Sequence, residues 1–373
     1  MENNEERFKI IPFDEKYLED LKMGIRNGWN ANHVLQKSDE LLLWQYHGFG
    51  QMAGMKLPLL FDGDKMIGYR LMIPIEIMLS DKAGNHTVIP SAVSTLFFVD
   101  KDYRGMKLGL KLQLYTIEHY GGYFAIASNL KTSAPIYKKS GAKMLDTMYR
   151  YVRPLSGGMN KLLVGESEYE WCINNPQSSI TPIEVNSSEL AIAWSHFIGD
   201  RNITSLNRSE EFWRWRYKES PIYKYYTFKS DSGYVVGRIC DLYNSIREKT
   251  DVKVFRILEF IPSDFNVWNH TTNKNAETLI DGACGWAKEQ GCVAAEFYMS
   301  SSRFDKVLEN TGFKEINKDE TTACSVMSYF EPSDTAHRLS NVSIQSSLLP
   351  DDFDFEDTYF TLSDADQDRP NII

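Results

Sequence analysis

The chain has 373 residues, of which 42% are hydrophobic and 25% charged, and its formal net charge is −10 at pH 7. These values are typical of a soluble globular protein with room for two domains. The acidic balance argues against broad electrostatic binding to nucleic acid or to an anionic membrane, and no apolar run approaches the ~18 residues of a membrane-spanning helix.

Two stretches of the chain share one order of predicted elements. "FKIIPFDEKYLEDL" and "ITPIEVNSSELAIAW" each indicate a short strand and a helix, and strand–turn–strand segments follow with Gly68 and Gly237 in matching positions. Later, Gly141 and Gly312 are in register at the end of a short helix. A constant offset of about 170 residues indicates a duplicated unit. We therefore predict an α/β fold with two tandem domains, each a central mixed β-sheet flanked by helices.

The repeat gives the predicted domain limits: a first domain at 6–153, a connector at 154–177, a second domain at 178–331 and a tail at 332–373. Asp14 is the predicted cap of the first helix, and Ser187 or Ser188 that of its counterpart. The tail is acidic but also aromatic, so we expect part of it to pack on the body of the protein.

The five cysteines are scattered and form no CxxC pair. This pattern is typical of reduced thiols, and we predict a cytoplasmic protein. "DADQD" in the tail begins like a calcium loop but lacks its glycine and its distant glutamate. We expect no metal.

"FFVDKDYRGMKLGLKL" predicts an apolar strand, a turn that carries Arg104, and a helix over about 106–120. A helix N-terminus presents unpaired N–H groups and a partial positive charge, and glycine lets a backbone approach an anion closely. We predict that the N–H groups of 105–109 hold a phosphate, with Arg104 adding a formal charge. The alternative is an ordinary tight turn between a strand and a helix.

This stretch, together with "ASNLKTSAPIYKKSGAKML", resembles the GNAT N-acyltransferases. The cofactor motif of that family is R/Q-x-x-G-x-G/A, which Arg104 and Gly109 match, whereas Lys107 occupies the first glycine position. A second family signature is an asparagine followed by a tyrosine and a glycine. Asn129 and Tyr137 resemble it, with one extra residue between them.

The resemblance covers residues 94–141 and implies an acyltransferase that moves an acetyl group from acetyl-CoA to a primary amine of a small molecule. The amine would attack the thioester directly. The family's pyrophosphate-binding turn falls here on Arg104, Gly105, Met106, Lys107, Leu108 and Gly109. The pantetheine would pair with the edge of the strand that ends in Phe98 and Val99.

The resemblance also implies roles in the chemistry. Tyr137 would protonate the departing thiolate, a backbone N–H near Val99 would stabilise the oxyanion, and Asn129 would fix the backbone where the sheet splays. The attacking amine must be neutral, which requires a base or a water chain. Glu76, Asp100 and His119 are near in sequence, but surface or capping roles are favoured for them and we assign none as the base.

The second copy lacks an arginine–glycine turn, and Leu308 stands where a tyrosine would be needed. We predict a structural or substrate-shaping role for it. The aromatic stretch over 213–226 could line a binding face, but an alternating strand packed in a core is the favoured interpretation.

Three hypotheses follow. The first is a tandem GNAT enzyme with one working site, acting on an amine such as an amino sugar in polysaccharide synthesis, by analogy at the level of the fold. The second is a Fem-like aminoacyl-transferase, which the Arg104 turn and the acidic balance disfavour. The third is a non-catalytic GNAT-like binding module, which Lys107 at a glycine position favours. The sequence assigns no oligomeric state.

Overall fold

The computed structural model describes residues 7–29, 31–54, 57–163, 173, 175–244, 246, 248–316 and 340–367. These residues form two mixed β-sheets flanked by helices. The α/β fold class predicted from the sequence is therefore confirmed. Cys172 and Cys324 lie outside the described residues.

In chain order, the strands are β1 (Phe8–Pro12), β2 (Pro58–Asp62), β3 (Lys65–Ser80), β4 (His86–Val99), β5 (Gly122–Ile126), β6 (Lys143–Leu145), β7 (Tyr149–Pro154), β8 (Thr204–Leu206), β9 (Tyr226–Ser230), β10 (Gly233–Tyr243), β11 (Lys249–Pro262), β12 (Cys292–Met299), β13 (Lys314–Glu315), β14 (Val342–Ser346) and β15 (Thr358–Tyr359). The helices are α1 (Leu18–Gly28), α2 (Val34–Lys37), α3 (Asp39–His47), α4 (Leu108–Tyr120), α5 (Ser133–Lys139), α6 (Ser187–Ile198), α7 (Glu210–Trp213), α8 (Lys274–Glu289) and α9 (Asp305–Asn310). None of these helices is both long enough and apolar enough to cross a bilayer.

The two sheets exchange strands across the predicted domain limits. The first sheet has the order β1-β2-β3-β4-β5-β14-β6, with β8 beside β3 and β15 beside β8. The second has the order β13-β7-β12-β11-β10-β9. Thus β14, from the predicted tail, fills the place between β5 and β6, and β7 lies between β12 and β13. The limits drawn from the repeat remain a prediction, and each sheet includes a strand from outside the range predicted for it.

The glycines that align in the repeat occupy equivalent positions in the two sheets. A Cβ at Gly68 would lie 2.8 Å from the carbonyl oxygen of Phe98, and a Cβ at Gly237 would lie 2.8 Å from that of Arg256. Both are therefore places where a neighbouring strand passes too close for a side chain. Gly141 and Gly312 follow α5 and α9 with φ of 90° and 84°.

Helix α4 connects β4 to β5, which are parallel, and packs on the first sheet. Its residues Leu108 and Leu112 are buried against Phe8, Leu60 and Ile67. The helix observed at 108–120 confirms the one predicted at about 106–120. The β4–β5 ladder contains the single pair of Val93 with Phe124, so the two strands part beyond that point.

Two local predictions were wrong. The first concerns the cap of α6, which is Asn186: its side chain accepts a hydrogen bond from the Glu189 N–H at 3.2 Å, and Ser187 is already helical. Asn186 keeps the extended backbone of a capping residue, which brings its amide oxygen to the open donor. Asp14, predicted to cap the first helix, accepts from the Lys16 N–H and so caps the 3-10 turn over 15–17 that leads into α1; the residue before α1 itself is Tyr17, which makes no side-chain cap.

The second concerns the start of the aromatic stretch, which is helical and is not a strand. Ser209 caps α7 by accepting from the Phe212 N–H at 3.2 Å, and a turn of π-helix continues over 214–218. Trp213 stacks on Tyr217 with ring centroids 5.5 Å apart. The alternation of aromatic residues with arginines is also the pattern of a strand. The Ser209 cap and the four-residue spacing of Trp213 and Tyr217 favour a helix instead.

Part of the tail packs on the body, as expected. Tyr359 and Phe360 are fully buried, and the Tyr359 hydroxyl donates to the Phe260 carbonyl at 3.1 Å. Asp364 accepts two hydrogen bonds from Arg208, at 2.8 and 3.0 Å.

Candidate active site

The turn between β4 and α4 contains two residues with left-handed backbone. Asp100 caps a short 3-10 turn over 101–103, and Gly105 and Lys107 then adopt φ of 87° and 61°. A side chain in this conformation costs about 1–2 kcal/mol. Lys107 therefore takes, with strain, the conformation that glycine adopts freely.

This turn leaves its backbone donors open. Within the described part of the chain, the backbone N–H groups of residues 105–110 have no hydrogen-bond acceptor, and the first one with a partner is that of Lys111, which donates to Lys107 O at 3.0 Å. Lys107 caps α4 by position but offers no side-chain acceptor. Six successive donors at a helix N-terminus form an environment that favours an anion.

The rest of the turn adds charge and leaves space. Arg104 is exposed, and its Nε donates to the Val99 carbonyl at 3.2 Å. A Cβ at Gly105 would meet no protein atom within 4 Å. At Gly109 a Cβ would lie 3.5 Å from Phe97 and Ile136, an ordinary contact. Neighbouring side chains therefore do not require glycine at either position.

The last residues of β4 have an open edge. Asp100 N–H donates to Ile67 O on β3 at 2.8 Å, so the peptide groups of Val99, one residue earlier, face away from β3. Beyond Val93 that side has no ladder partner on β5. Phe98 differs, because its carbonyl faces Gly68 and its ring packs on Tyr69 at 5.4 Å. Of the two residues predicted to meet the pantetheine, Val99 has its N–H on the open edge, whereas its carbonyl already accepts from Arg104 Nε.

Tyr137 lies where β4 and β5 part. Its hydroxyl is 3.0 Å from Ser94 Oγ, and Ser94 directly follows Val93, the residue of β4 that pairs with β5. The Tyr137 side chain is buried, and its ring lies 4.9 Å from that of Tyr123. The structure thus brings the predicted acid to the divergence of the strands.

Asn129 forms the turn that precedes α5. Its side-chain oxygen accepts from the N–H groups of Lys131 and Thr132 at 2.9 and 3.1 Å, and its carbonyl accepts from Ala134 N–H at 3.0 Å. The contacts of Asn129 therefore set the start of the helix that carries Tyr137.

The three side chains considered as bases have other partners, and Glu76 is buried, so the surface position favoured for it was wrong. Both carboxylate oxygens of Glu76 are engaged, by the Gln51 N–H at 3.1 Å and by Asn207 Nδ2 at 2.8 Å. Asp100 caps the 3-10 turn. The exposed His119 stacks on the ring of Tyr115 at 3.7 Å.

Two side chains at this place were missed by the sequence analysis. Ser94, in an apolar strand, gave no signal. Arg70 gave one, because a charge inside an apolar strand of the core is rare. Its guanidinium carbon lies 4.9 Å from the ring centroid of Phe97 and 5.2 Å from those of Tyr123 and Tyr137.

The matching place in the second sheet is built differently. Asn273 caps α8 by accepting from the N–H groups of Asn275 and Ala276 at 3.0 and 3.1 Å. Leu308, at the position of Tyr137, is buried. The first donors of α8 are therefore already bonded, in contrast to those of α4.

The structure was compared with those of known proteins, and the sequence with family models and curated proteins. No family model matches the sequence, and no curated protein matches it. Among solved structures, the chain is similar to the N-myristoyltransferase of Saccharomyces cerevisiae with bound myristoyl-CoA, with a TM-score of 0.53 and 11% identity over 98% of this chain and 89% of that one. It is also similar to a GCN5-related N-acetyltransferase from Anabaena variabilis, with a TM-score of 0.51 and 10% identity over 90% of this chain and 72% of that one.

A GCN5-related N-acetyltransferase from Kribbella flavida gives similar values, with a TM-score of 0.51 and 10% identity over 90% of this chain and 70% of that one. At this level of identity the likeness shows the fold. The chain therefore has the GNAT fold, as its resemblance over residues 94–141 implied.

Proposed function

We propose that the protein is an acyl-CoA-dependent N-acyltransferase with its working site on the first sheet. The observation that carries this proposal is the run of six unbonded N–H groups at the start of α4, beside an open strand edge, in a chain of GNAT fold. Its structural neighbours are acetyl- and myristoyl-transferases by name.

The donor would bind along the turn and the edge. The N–H groups of Gly105 to Leu110 would hold the pyrophosphate, with Arg104 and Lys107 adding positive charge. The pantetheine amides would pair with Val99 on the open edge. Acetyl-CoA is the proposed donor.

The chemistry would take place at Tyr137. The neutral amine attacks the thioester carbonyl, the new N–C bond forms, and the C–S bond breaks with its electron pair remaining on sulfur. Tyr137 gives its hydroxyl proton to the thiolate and recovers one from solvent, while the amine nitrogen loses its extra proton to water. Ser94, 3.0 Å from that hydroxyl, orients it. The proposed acceptor is a small amine, with an amino sugar as the first class to screen.

Calorimetric titration tests the site. CoA and acetyl-CoA are titrated into wild type and into Arg104→Ala and Lys107→Glu, with Lys143→Glu on β6 as a matched exposed control. Loss of a charge-assisted contact is worth about 1.5–3 kcal/mol, or tenfold and more in affinity. We expect such a loss in both turn variants and none in the control.

Titration with pantetheine, which has no pyrophosphate, tests the open strand edge separately from the phosphate-binding turn. Pantetheine binding should be equal in wild type and Lys107→Glu. CoA affinity unchanged in both turn variants would refute the phosphate role of the turn. Binding of acetyl-CoA without turnover in a broad amine screen would favour the non-catalytic binding module.

A further inference from the structure

Arg70, on β3, is a buried cation with unused hydrogen-bonding capacity. It is 0% exposed, and neither Nη1 nor Nη2 has an acceptor among the described residues. Its Nε donates to Met72 Sδ at 3.2 Å. A buried charge without a partner of opposite sign is strongly unfavourable.

Several other buried arginines among the described residues are paired with carboxylates, whereas Arg216 donates to the Ser363 carbonyl and to the Tyr225 hydroxyl. Arg150 and Arg256 share Glu296, at 3.1 and 2.6 Å, and Arg208 lies 3.1 Å from Glu259. These ion pairs connect neighbouring strands and the packed tail, so their role is structural. Arg70 has no such partner in the described residues.

The surroundings of Arg70 compensate its charge in part. Three aromatic rings lie around the guanidinium, and cation–π contacts are favourable when desolvated. Burial lowers the pKa of Arg70, and the groups that act against this are tyrosines. The Tyr120 hydroxyl, a further donor on α4, is also buried without a partner among the described residues. The two Nη groups of Arg70 therefore retain the capacity to bind an anion.

The position of Arg70 connects it to the proposed reaction. Its guanidinium faces the ring of Tyr137, whose hydroxyl marks the point where β4 and β5 part. Phe97, on the open segment of β4, covers it from another side. A group that enters between β4 and β5 beside Tyr137 would therefore approach the guanidinium.

We propose that Arg70 binds a carboxylate carried by a substrate at the divergence of β4 and β5. The planar guanidinium presents two parallel N–H donors, which match a carboxylate in a bidentate pair. The carboxylate belongs either to the far end of the acyl group or to the acceptor amine. This inference rests on the proposed acyltransferase function.

The experiment compares matched substrates in wild type, Arg70→Met and Arg70→Lys. In one arm the donor is acetyl-CoA or succinyl-CoA. In the other arm the acceptor is an amino acid or the amine that lacks its carboxylate. We expect one arm to show at least a tenfold preference for the carboxylate in kcat/KM. That preference should fall below threefold in Arg70→Met and be intermediate in Arg70→Lys.

Thermal unfolding measures ligand binding separately from activity, so it also tests the proposal if a variant folds poorly. The carboxylate compound should raise the Tm of wild type and leave that of Arg70→Met unchanged. Without ligand, Arg70→Met should be as stable as wild type or more stable, whereas the control Arg256→Met, which removes one of the two arginines paired with Glu296, should be destabilised.

The outcomes separate the two proposals. Acetyl-CoA binding with no carboxylate preference in either arm would overturn the role of Arg70 and leave the acyltransferase intact. Failure of wild type to bind any CoA compound would overturn both. A loss of stability in Arg70→Met equal to that in Arg256→Met would mark Arg70 as a structural arginine.

Discussion

The hydroxyl of Tyr137 offers the most direct test of the chemistry, because the structure provides a matched partner. Tyr137→Phe removes one oxygen from a buried pair whose separation is 3.0 Å. If that hydroxyl protonates the thiolate, its loss should lower kcat by about 10² to 10⁴. This range corresponds to about 3–5 kcal/mol of activation free energy. CoA affinity should be unchanged, since the proposed phosphate site at the start of α4 is untouched.

Ser94→Ala is the control. It breaks the same hydrogen bond but leaves the acidic hydroxyl in place. Each substitution strands one buried polar group, which costs about 1–3 kcal/mol of unfolding free energy. We therefore expect similar destabilisation of the two variants and a much larger loss of kcat in Tyr137→Phe.

The assay follows release of free thiol under single turnover, with calorimetry for CoA and urea unfolding for stability. Equal losses of kcat in the two variants would show that the hydrogen bond, and not the proton, is what the reaction needs. If the kcat of Tyr137→Phe equals that of wild type, this tyrosine is not the acid of the reaction.

Three further predictions use other parts of the molecule. Lys107→Gly should relieve left-handed strain and raise the unfolding free energy by about 1 kcal/mol, while the loss of its ammonium should weaken CoA binding; an unchanged Kd by calorimetry would show that the ammonium does not contribute to binding. Ile344→Ala, at a fully buried position of β14, should cost about 2–5 kcal/mol in urea unfolding, and a cost below 1 kcal/mol would argue against the position of β14 in the first sheet. Burial, together with the like charge of nearby Glu259 and against the opposing effect of Arg208, raises the pKa of Asp364 to about 6 from 3.8. The folded state then holds a proton that the unfolded state has released, so the contribution of Asp364 to stability should fall as pH rises from about 4 to 6; Asp364→Asn should flatten this slope in unfolding measured across that window.

The elements that positioned the site were predictable from local patterns. The apolar run before Asp100 and the helical spacing after Lys107 predicted β4 and α4. The turn between them could be predicted because a few neighbouring residues determine it, and its phosphate role stays a prediction. The turn forms even though Lys107 replaces the glycine of the motif, because Lys107 adopts the same left-handed conformation.

Long-range features were not predictable in this way. Nothing in the sequence near Val342 indicates that β14 pairs with β5 and β6, because a strand pattern does not specify its neighbours. The pairing of Tyr137 with Ser94 depends on where two strands separate. The prediction for the aromatic stretch after Ser209 was wrong because its residues fit both a strand and a helix period. The capping hydrogen bond of Ser209 favours the helix.

The place of β14 between β5 and β6 has a consequence for synthesis of the chain. At about 5–20 residues per second, the ribosome would need roughly 10–40 s to pass from Pro154 to Val342. During that time β5 and β6 are complete, but the strand that joins them has not been made. Their unpaired edges are open to chance pairing with other nascent chains. The N-terminal half would therefore be the part of the chain that most needs a chaperone, and a stop codon anywhere before residue 342 would leave its sheet divided.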